Sequence, residues 1–337
     1  MKKIAIVGAG SWGTALAVAL CRSRTPHDIA LWVHGPDVLS ALRQRRENPV
    51  YLPAIRVPAA VAVSGVMSEA LAGADIVLGA VPSAHARAVY TSMLPGLTAS
   101  ASQPIFVSAT KGIEPDSLAR MSEVIRGVIG TKFVPRIAVL SGPSFAVEVA
   151  RGDPAAVVIA SSDQSAAAEV QEEFSGPTLR LYTNDDVAGV ELGGAIKNVI
   201  ALAAGVCAGL GLGSNTIAAL ITRGLAEMTR VSVALGGRRD TLAGLAGLGD
   251  LVLTATGALS RNRSVGIELG KGRKLADILA GMRMVAEGIA TTGATLALAR
   301  RHGIEMPITE QMYAVLHEGR APADAIRELM DRRLKQE

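Results

Sequence analysis

Aromatic residues and cysteines are scarce in this chain of 337 residues. Phe, Trp and Tyr together make up 3% of the sequence, and there are 2 cysteines. So few cysteines do not make a disulfide framework, which fits a reducing compartment. The basic segments 43–46 and 332–335 lack interleaved aromatic side chains. We therefore expect solvated helix faces there and no nucleic-acid partner.

An uninterrupted apolar run typical of a membrane span is also missing. The stretch from Val187 to Leu212 is apolar, but it carries Glu191, Lys197 and Asn198. A span of ~20 residues avoids such groups, so a buried helix is predicted instead. The apolar N-terminal stretch contains several glycines, and no small-residue cleavage site follows it. We expect a cytoplasmic protein without an integral membrane segment.

Apolar and small residues are abundant: 49% of the residues are hydrophobic and 36 are glycine. In the first half, short apolar runs alternate with helical patterns. This alternation predicts a doubly wound, mainly parallel sheet, because parallel neighbours need crossover connections. From residue 186 onward the patterns are helical. We predict an α/β domain over residues 1–185 and an all-α domain over residues 186–337. The predicted strands are Ile4–Val7, Ile29–Val33, Asp75–Val81, Ile105–Thr110, Ile137–Leu140, Ala155–Ala160 and Leu179–Tyr182.

Gly8, Gly10 and Gly13 form a G-x-G-x-x-G pattern directly after the first predicted strand and at the start of a helix. The first two glycines allow a tight turn and let a pyrophosphate approach the backbone, and the third lets the helix pack closely on the strand. The helix N-terminus offers unpaired N–H groups to the phosphates. This context predicts an NAD(P)-binding Rossmann domain.

The end of the second predicted strand carries no acidic residue. An Asp or Glu ~20 residues past the loop would hold the ribose 2′-hydroxyl of NAD, whereas this chain has Val33-His34-Gly35. His34, together with Arg43 or Arg46, could accept a 2′-phosphate. We therefore predict NADPH/NADP as the cofactor, with NADH/NAD also accepted. The alternative is that His34 only caps a surface strand.

Three charged residues are candidates for chemistry. A carbonyl reductase needs a proton donor and stabilisation of the developing oxyanion. Lys111 follows a predicted strand, at the edge where doubly wound sheets bind ligands. Lys197 lies in a nearly apolar helical stretch, and burial lowers a lysine pKa toward the range of a general acid. Asp250 lies among glycines and aliphatic residues, and we hypothesise that it pairs with Lys197. The alternatives are a surface lysine in a turn for Lys111, a snorkelling side chain for Lys197 and an ordinary helix N-cap for Asp250.

The segment Ser260-Arg261-Asn262-Arg263 offers guanidinium and amide donors that suit phosphate oxygens. A solvated basic turn would have the same composition. The 5 histidines are scattered, no metal-ligand spacing occurs and no G-x-S-x-G elbow is present. We therefore expect no metal site and no serine catalysis.

Nine segments occur in a fixed order along the chain. They are GAGSWGTALA from Gly8, AVPS from Ala80, TKGIE from Thr110, SGPSFAVEVA from Ser141, ELGGAIKNV from Glu191, AALITRGLAEM from Ala218, GLAGLGDLVLT from Gly244, SRNR from Ser260 and VAEG from Val285. Together they resemble the bacterial NAD(P)-dependent glycerol-3-phosphate dehydrogenases over essentially the whole chain. One departure is Ala54, which follows Pro53 where the family usually has glycine.

The resemblance implies a homodimer that reduces dihydroxyacetone phosphate to sn-glycerol 3-phosphate, the precursor of phospholipid backbones. It also implies an all-α C-terminal domain like that of 6-phosphogluconate dehydrogenase. Lys197 matches the family's proton-transfer lysine, and the implied catalytic set is Lys197, Lys111 and Asp250. The implied cofactor contacts are Gly8, Gly10, Ser11, Trp12, Gly13, His34, Lys111, Ala146, Arg261, Val285 and Glu287. The implied substrate contacts are Lys111, Gly142, Ser144, Lys197, Asp250, Thr254, Ser260, Arg261 and Asn262.

Two other functions share this two-domain plan. A β-hydroxyacid dehydrogenase or ketopantoate reductase has the same fold, and fold alone does not separate them. The SRNR segment favours a phosphorylated substrate. A non-catalytic NAD(P) sensor is the second alternative, but it would have no reason to keep Lys111, Lys197 and Asp250 together.

Overall fold

The structure, a computed structural model, describes residues 1–97, 103–282 and 286–334. Its strands lie in the first part of the chain and its long helices in the second, as the patterns predict. The strands of the described residues are β1 (Lys3–Val7), β2 (Asp28–Trp32), β3 (Glu47–Asn48), β4 (Leu52–Arg56), β5 (Val61–Ser64), β6 (Ile76–Gly79), β7 (Ile105–Ser108), β8 (Arg136–Ser141), β9 (Ala155–Ala160) and β10 (Leu179–Asn184).

The helices of the first part cover the faces of the sheet. They are α1 (Ser11–Leu20), α2 (Pro36–Arg45), α3 (Met67–Leu71), α4 (Ala86–Met93), α5 (Met121–Ile129), α6 (Ala146–Arg151) and α7 (Gln164–Phe174), with short 3₁₀ helices at Ser83–His85 and Leu94–Gly96. The helices of the second part are α8 (Val187–Gly209), α9 (Ser214–Ala234), α10 (Arg239–Ala243), α11 (Asp250–Thr256), α12 (Arg261–Gly270), α13 (Leu275–Ala280), α14 (Glu287–Arg301), α15 (Pro307–His317) and α16 (Pro322–Met330).

Eight of the strands form one sheet in the order β10-β9-β8-β7-β6-β1-β2-β5. All neighbouring pairs are parallel except β8 and β9. The chain reverses its direction of travel across the sheet between β1 and β6, and ligands of such sheets bind beyond the strand ends at this point. The predicted doubly wound, mainly parallel sheet is confirmed.

A small hairpin of β3 and β4 and the edge strand β5 were not among the predicted strands. Their residues alternate between exposed and buried or are largely exposed, so no apolar run marks them. Within β4, Ala54 has a φ of +61°. This left-handed conformation costs a residue with a Cβ about 1–2 kcal/mol, and it explains why a glycine suits this position in the family.

Helix α8 is the centre of the helical part. Asp186 caps its N-terminus by accepting a hydrogen bond from the backbone N–H of Gly189 at 2.8 Å. The helix is long and apolar enough to cross a membrane, but 89% of its apolar window is buried inside the protein. It is therefore a core helix, as its charged residues predict.

Glycines bring α8 and α12 into backbone contact. A Cβ on Gly205 would overlap the carbonyl oxygen of Arg263, and a Cβ on Gly266 would overlap the carbonyl oxygen of Leu202. Only glycine permits so close an approach. This packing brings the first turn of α12 alongside the middle of α8, where Lys197 and Asn198 lie.

Candidate active site

The glycine loop joins β1 to α1 at the reversal point of the sheet. Gly8 has a φ of +113° and packs against the backbone of Ala80, so no side chain fits there. A Cβ on Gly13 would overlap the carbonyl oxygen of Gly8. Gly10 begins α1 as its N-cap, makes no side-chain cap, and has nothing within 4 Å of where a Cβ would lie. The loop therefore leaves open space in front of a helix N-terminus, which fits a dinucleotide pyrophosphate.

His34 follows the end of β2 and is exposed, with its ring 5.6 Å from the ring of Trp32. The guanidinium of Arg46 donates hydrogen bonds to the carbonyls of Val57 at 3.3 Å and Val61 at 2.7 Å, as well as to that of Pro58. Arg46 thus stabilises the loop before β5. Arg43 is exposed on α2.

Two lysines bind the two oxygens of one buried carboxylate. Lys111 Nζ donates to Asp250 Oδ2 at 2.7 Å, and Lys197 Nζ donates to Asp250 Oδ1. Lys197 also donates to Thr254 Oγ1 at 2.8 Å. Lys197 and Asp250 are only 5% and 1% exposed. The hypothesised pair of Lys197 and Asp250 is present, and Lys111 joins it from the segment after β7.

A glycine-rich turn leads into the helix that carries Asp250. A π-helical turn, Leu245–Gly249, leads into α11, and Gly249 N–H donates to the carbonyl of Gly244 at 3.1 Å. Such turns are frequent at functional sites. Asp250 is the first residue of α11, so Thr254 lies one turn further on, where its hydroxyl donates to the Asp250 carbonyl at 2.6 Å. The alternative of Asp250 as an ordinary side-chain N-cap is therefore wrong.

Burial sets the charge state of the cluster. It lowers the pKa of Lys197 to about 7, with Asp250 opposing this shift and Lys111 adding to it. For Asp250, burial favours the neutral acid, but the two lysines outweigh burial and lower the pKa below its ordinary value. The carboxylate therefore stays ionised, while Lys197 exchanges its proton near neutral pH.

The start of α12 lies beside this cluster. Ser260 is its N-cap and accepts a hydrogen bond from Arg263 N–H at 3.2 Å. Arg261 is the first residue of the helix and is exposed. Buried Asn262 donates to Asn198 Oδ1 at 2.9 Å and accepts from Gly288 N–H at 2.9 Å. Asn262 thus also holds α8, α12 and α14 together.

The turn after β8 lies next to Lys111 and contacts its ammonium group. Gly142 has a φ of +130°, and its carbonyl accepts hydrogen bonds from Lys111 Nζ at 2.7 Å and from Ser144 Oγ at 2.9 Å. Ala146 is the first residue of α6. In the glycine loop, Ser11 is the first residue of α1, and partly buried Trp12 packs against the small apolar cluster of Ala15, Leu52 and Ala150.

Glu287 joins the two parts of the chain. It accepts hydrogen bonds from Ser83 N–H at 3.1 Å and Ser83 Oγ at 2.6 Å, and burial raises its pKa. Ser83 belongs to the AVPS segment, and its position shortly after β6 is the signal in the sequence that it could have a role. Val285 lies outside the described residues. Among the described residues, no group of metal-binding side chains occurs.

Comparisons with known proteins point to a single family. The model of the NAD-dependent glycerol-3-phosphate dehydrogenase N-terminus matches residues 3–167, and that of the C-terminus matches residues 186–327. Glycerol-3-phosphate dehydrogenase (NAD(P)+) of Koribacter versatilis is 59% identical over 333 residues, which are 98% of each chain. The crystal structure of glycerol-3-phosphate dehydrogenase (gpsA) from Coxiella burnetii has a TM-score of 0.92 and 40% identity, covering 98% of this chain and 99% of that one.

A ketopantoate reductase from Ralstonia eutropha has a TM-score of 0.60 and 19% identity, covering 96% of this chain and 99% of that one. This likeness shows a shared fold and nothing further. The family models and the high identity over the full length separate the chain from such reductases. The resemblance in the sequence motifs is confirmed: the chain belongs to the NAD-dependent glycerol-3-phosphate dehydrogenase family.

Proposed function

We propose that this protein uses NAD(P)H to reduce dihydroxyacetone phosphate reversibly to sn-glycerol 3-phosphate, which feeds glycerophospholipid synthesis. The observation that carries the proposal is the buried carboxylate of Asp250 with Lys111 and Lys197 on its two oxygens. It lies beside the start of α12, where Arg261 offers a guanidinium fork to a phosphate.

The two lysines differ in their free donors. Lys111 Nζ has three acceptors within reach, namely Gly142 O, Asp250 Oδ2 and Ser144 Oγ at 3.4 Å. Lys197 Nζ has two among the described residues, Asp250 Oδ1 and Thr254 Oγ1. An ammonium carries three N–H groups, so Lys197 has one left for a substrate oxygen. Lys197 is therefore the proton donor, and Lys111 and Asp250 orient it.

The proton and the hydride enter the ketone at different atoms. A bound nicotinamide would supply the hydride that the carbonyl carbon takes up. As the carbonyl oxygen gains negative charge, Lys197 gives it a proton, and the neighbouring positive charge of Lys111 stabilises the same oxygen. Asp250 keeps Lys197 in place before and after the transfer. In the reverse direction, neutral Lys197 takes the proton from the hydroxyl group.

The remaining residues divide between cofactor and substrate. The loop glycines with Ser11 and Trp12 would hold the pyrophosphate of the cofactor, and His34 with Arg43 or Arg46 would bind a 2′-phosphate, so NADPH would be preferred and NADH accepted. The further cofactor contacts are Lys111, Ala146, Arg261, Val285 and Glu287. The substrate contacts are Lys111, Gly142, Ser144, Lys197, Asp250, Thr254, Ser260, Arg261 and Asn262. Residues 1–185 form the cofactor domain and residues 186–337 the substrate domain of a cytoplasmic homodimer.

The test is NADPH oxidation with dihydroxyacetone phosphate and with unphosphorylated dihydroxyacetone. The phosphorylated ketone should react far better, because binding energy at a remote phosphate raises kcat as well as lowering KM. Arg261→Ala should lose activity on the phosphorylated ketone. Arg273→Ala is the matched control, since this arginine lies just after the opposite end of α12 and pairs with Glu268.

Equal rates with both ketones would contradict the role of the phosphate anchor. Tight NADPH binding without turnover on any ketone would instead support a cofactor sensor. Preference for an unphosphorylated keto acid would support a related reductase.

A further inference from the structure

One face of α8 runs along the sheet domain. Glu191, Gly194 and Asn198 are three and four residues apart, so they lie on the same side of the helix. All three contact the segment that carries Lys111 or the strand beside it. Lys197, the proposed proton donor, directly precedes Asn198 in the same helix.

Glu191 makes the strongest of these contacts. Its carboxylate is buried and accepts hydrogen bonds from Ser122 N–H at 2.7 Å, Ser122 Oγ at 2.7 Å and Arg120 Nη1 at 3.0 Å. Ser122 lies in the first turn of α5, where backbone N–H groups lack partners within the helix. A carboxylate is favoured at this end of a helix dipole. Glu191 therefore fastens α8 to the N-terminus of α5.

The chain between Lys111 and α5 is a closed and stiff loop. Ile113 and Arg120 form a β-bridge, and Glu114 N–H donates to the carbonyl of Ala119 at 3.0 Å. Arg87 also holds the Glu114 carboxylate through two hydrogen bonds, of 2.8 and 2.6 Å. A fixed position for Arg120 therefore fixes the position of Lys111 at the other end of the loop.

The other two residues on this side of α8, Gly194 and Asn198, lie against Lys111, and Gly194 also lies against Ser141 at the end of β8. A Cβ on Gly194 would overlap Ser141 Oγ and would lie 3.6 Å from Lys111 Cγ. Asn198 Nδ2 lies 3.5 Å from the carbonyl oxygen of Lys111. Lys111 comes from the sheet domain, whereas Lys197 and Asp250 come from the helices. The geometry of the cluster thus depends on how these two parts of the chain are aligned.

We propose that Glu191 is a positioning residue that aligns α8 with the Lys111 loop, so that Lys111 and Lys197 reach opposite oxygens of Asp250. This inference rests on the proposed function, because the alignment serves the proton transfer from Lys197. Glu191 itself does not touch the cluster and acts through Arg120 and Ser122.

Loss of this alignment has a specific electrostatic consequence. Glu191→Gln turns an acceptor oxygen into an amide that faces the donors of Ser122, so the loop and Lys111 move away from Asp250. The positive charge of Lys111 lowers the pKa of Lys197. Without it, the pKa of Lys197 rises, and ketone reduction persists to higher pH. Among the residues that the structure describes, the charged or ionisable groups that face Glu191 are Arg120, Glu123 and Tyr90, and none of these three replaces the lost carboxylate.

The experiment measures kcat for ketone reduction against pH, with NADPH affinity from a fluorescence titration. Glu191→Gln should lower kcat by ~10- to 100-fold, since small misplacements of catalytic groups have effects of this size. The fall of kcat at alkaline pH should move to higher pH in this variant, while its NADPH affinity stays unchanged. Glu169→Gln is the matched control, because Glu169 also pairs with an arginine, Arg136 at 3.2 Å, but lies on α7 and takes no part in the Lys111 loop. It should keep the parental kcat and pH profile.

Ser122→Ala removes only the hydroxyl donor to Glu191, so it should lower kcat and shift the pH profile in the same direction but by less. This variant tests the proposal if Glu191→Gln does not fold. A lower kcat with an unmoved pH profile would mean that Glu191 only stabilises the fold and would overturn the proposal. Parental kcat and pH profile in both variants would overturn it too. A parent enzyme that does not reduce the ketone would instead refute the proposed function.

Discussion

The glycine loop acts through its backbone, whereas the cluster of Lys111, Lys197 and Asp250 acts through charged side chains. The loop presents backbone N–H groups and open space, and it depends on the absence of side chains at Gly8, Gly10 and Gly13. The cluster consists of long charged side chains that are held in an apolar interior by one another. The loop is continuous in sequence, whereas the cluster joins residues that are as much as 139 positions apart.

This difference determines how each region fails. An added methyl group harms the loop because it occupies space that belongs to the backbone or the ligand. A change of charge harms the cluster because all its groups are paired and two of them, Lys197 and Asp250, are buried. Damage to the loop should therefore appear in cofactor binding or stability. Damage to the cluster should appear in kcat.

The largest effect is expected for Lys197→Met. This change keeps the length and apolar packing of the side chain but removes its proton and charge. General acid catalysis is typically worth ~10²–10⁴-fold, and loss of the charge adds to that, so kcat should collapse. Asp250 keeps Lys111 as its partner, so the fold and NADPH affinity should survive. Steady-state turnover and a fluorescence titration of NADPH measure the two effects separately.

Lys271→Met is the control for Lys197→Met, because Lys271 is an exposed lysine that pairs with Glu268 at the surface. It should leave kcat unchanged. If Lys197→Met kept a nearly parental kcat, Lys111 would become the candidate proton donor.

Two alanine substitutions distinguish the roles of the loop glycines. In Gly13→Ala the methyl group overlaps the Gly8 carbonyl, so α1 must shift, at a cost of about 1–3 kcal/mol in the free energy of unfolding. In Gly10→Ala the methyl group enters open space, so stability should hold while NADPH binding weakens. Thermal melts and NADPH titrations check both. An equal loss of stability in the two variants would show that Gly10 is also a packing position.

A smaller change is expected at His34. His34→Asp places a negative charge where the 2′-phosphate of NADPH would bind, so the ratio of kcat/KM for NADPH over NADH should fall by ~10-fold or more. His34→Asn removes the ring without adding charge and should have a weaker effect. An unchanged ratio in His34→Asp would mean that this histidine only caps the strand.

The smallest effect is expected away from both regions, at Ala54. Because its φ is +61°, Ala54→Gly should relieve strain and raise the free energy of unfolding by about 1 kcal/mol or less. Chemical denaturation measures this change. Ala60, exposed in the next turn without a positive φ, is the control, and glycine there should give no gain. A loss of stability in Ala54→Gly would show that the alanine is not strained.

The loop could be predicted from the sequence because its residues are neighbours and its chemistry is local. Lys197 and Asp250 could be found singly, since charges in apolar segments stand out, and their pairing could be hypothesised. The third member, Lys111, looked like a surface lysine, because its contact with Asp250 forms only when the sheet and the helices pack together. The contacts of Ser83 with Glu287 and of Ser122 with Glu191 were missed for the same reason.

The central claim is that Lys197, with its pKa lowered to about 7, gives the proton to the ketone. The most direct test is kcat for reduction of dihydroxyacetone phosphate at saturating NADPH as a function of pH. Protonated Lys197 is the active form, so kcat should be level below about pH 7 and fall as the pH rises through this value. Oxidation of sn-glycerol 3-phosphate needs the neutral form and should rise over the same range. A reduction kcat that stays level from about pH 6 to pH 9 would contradict the account.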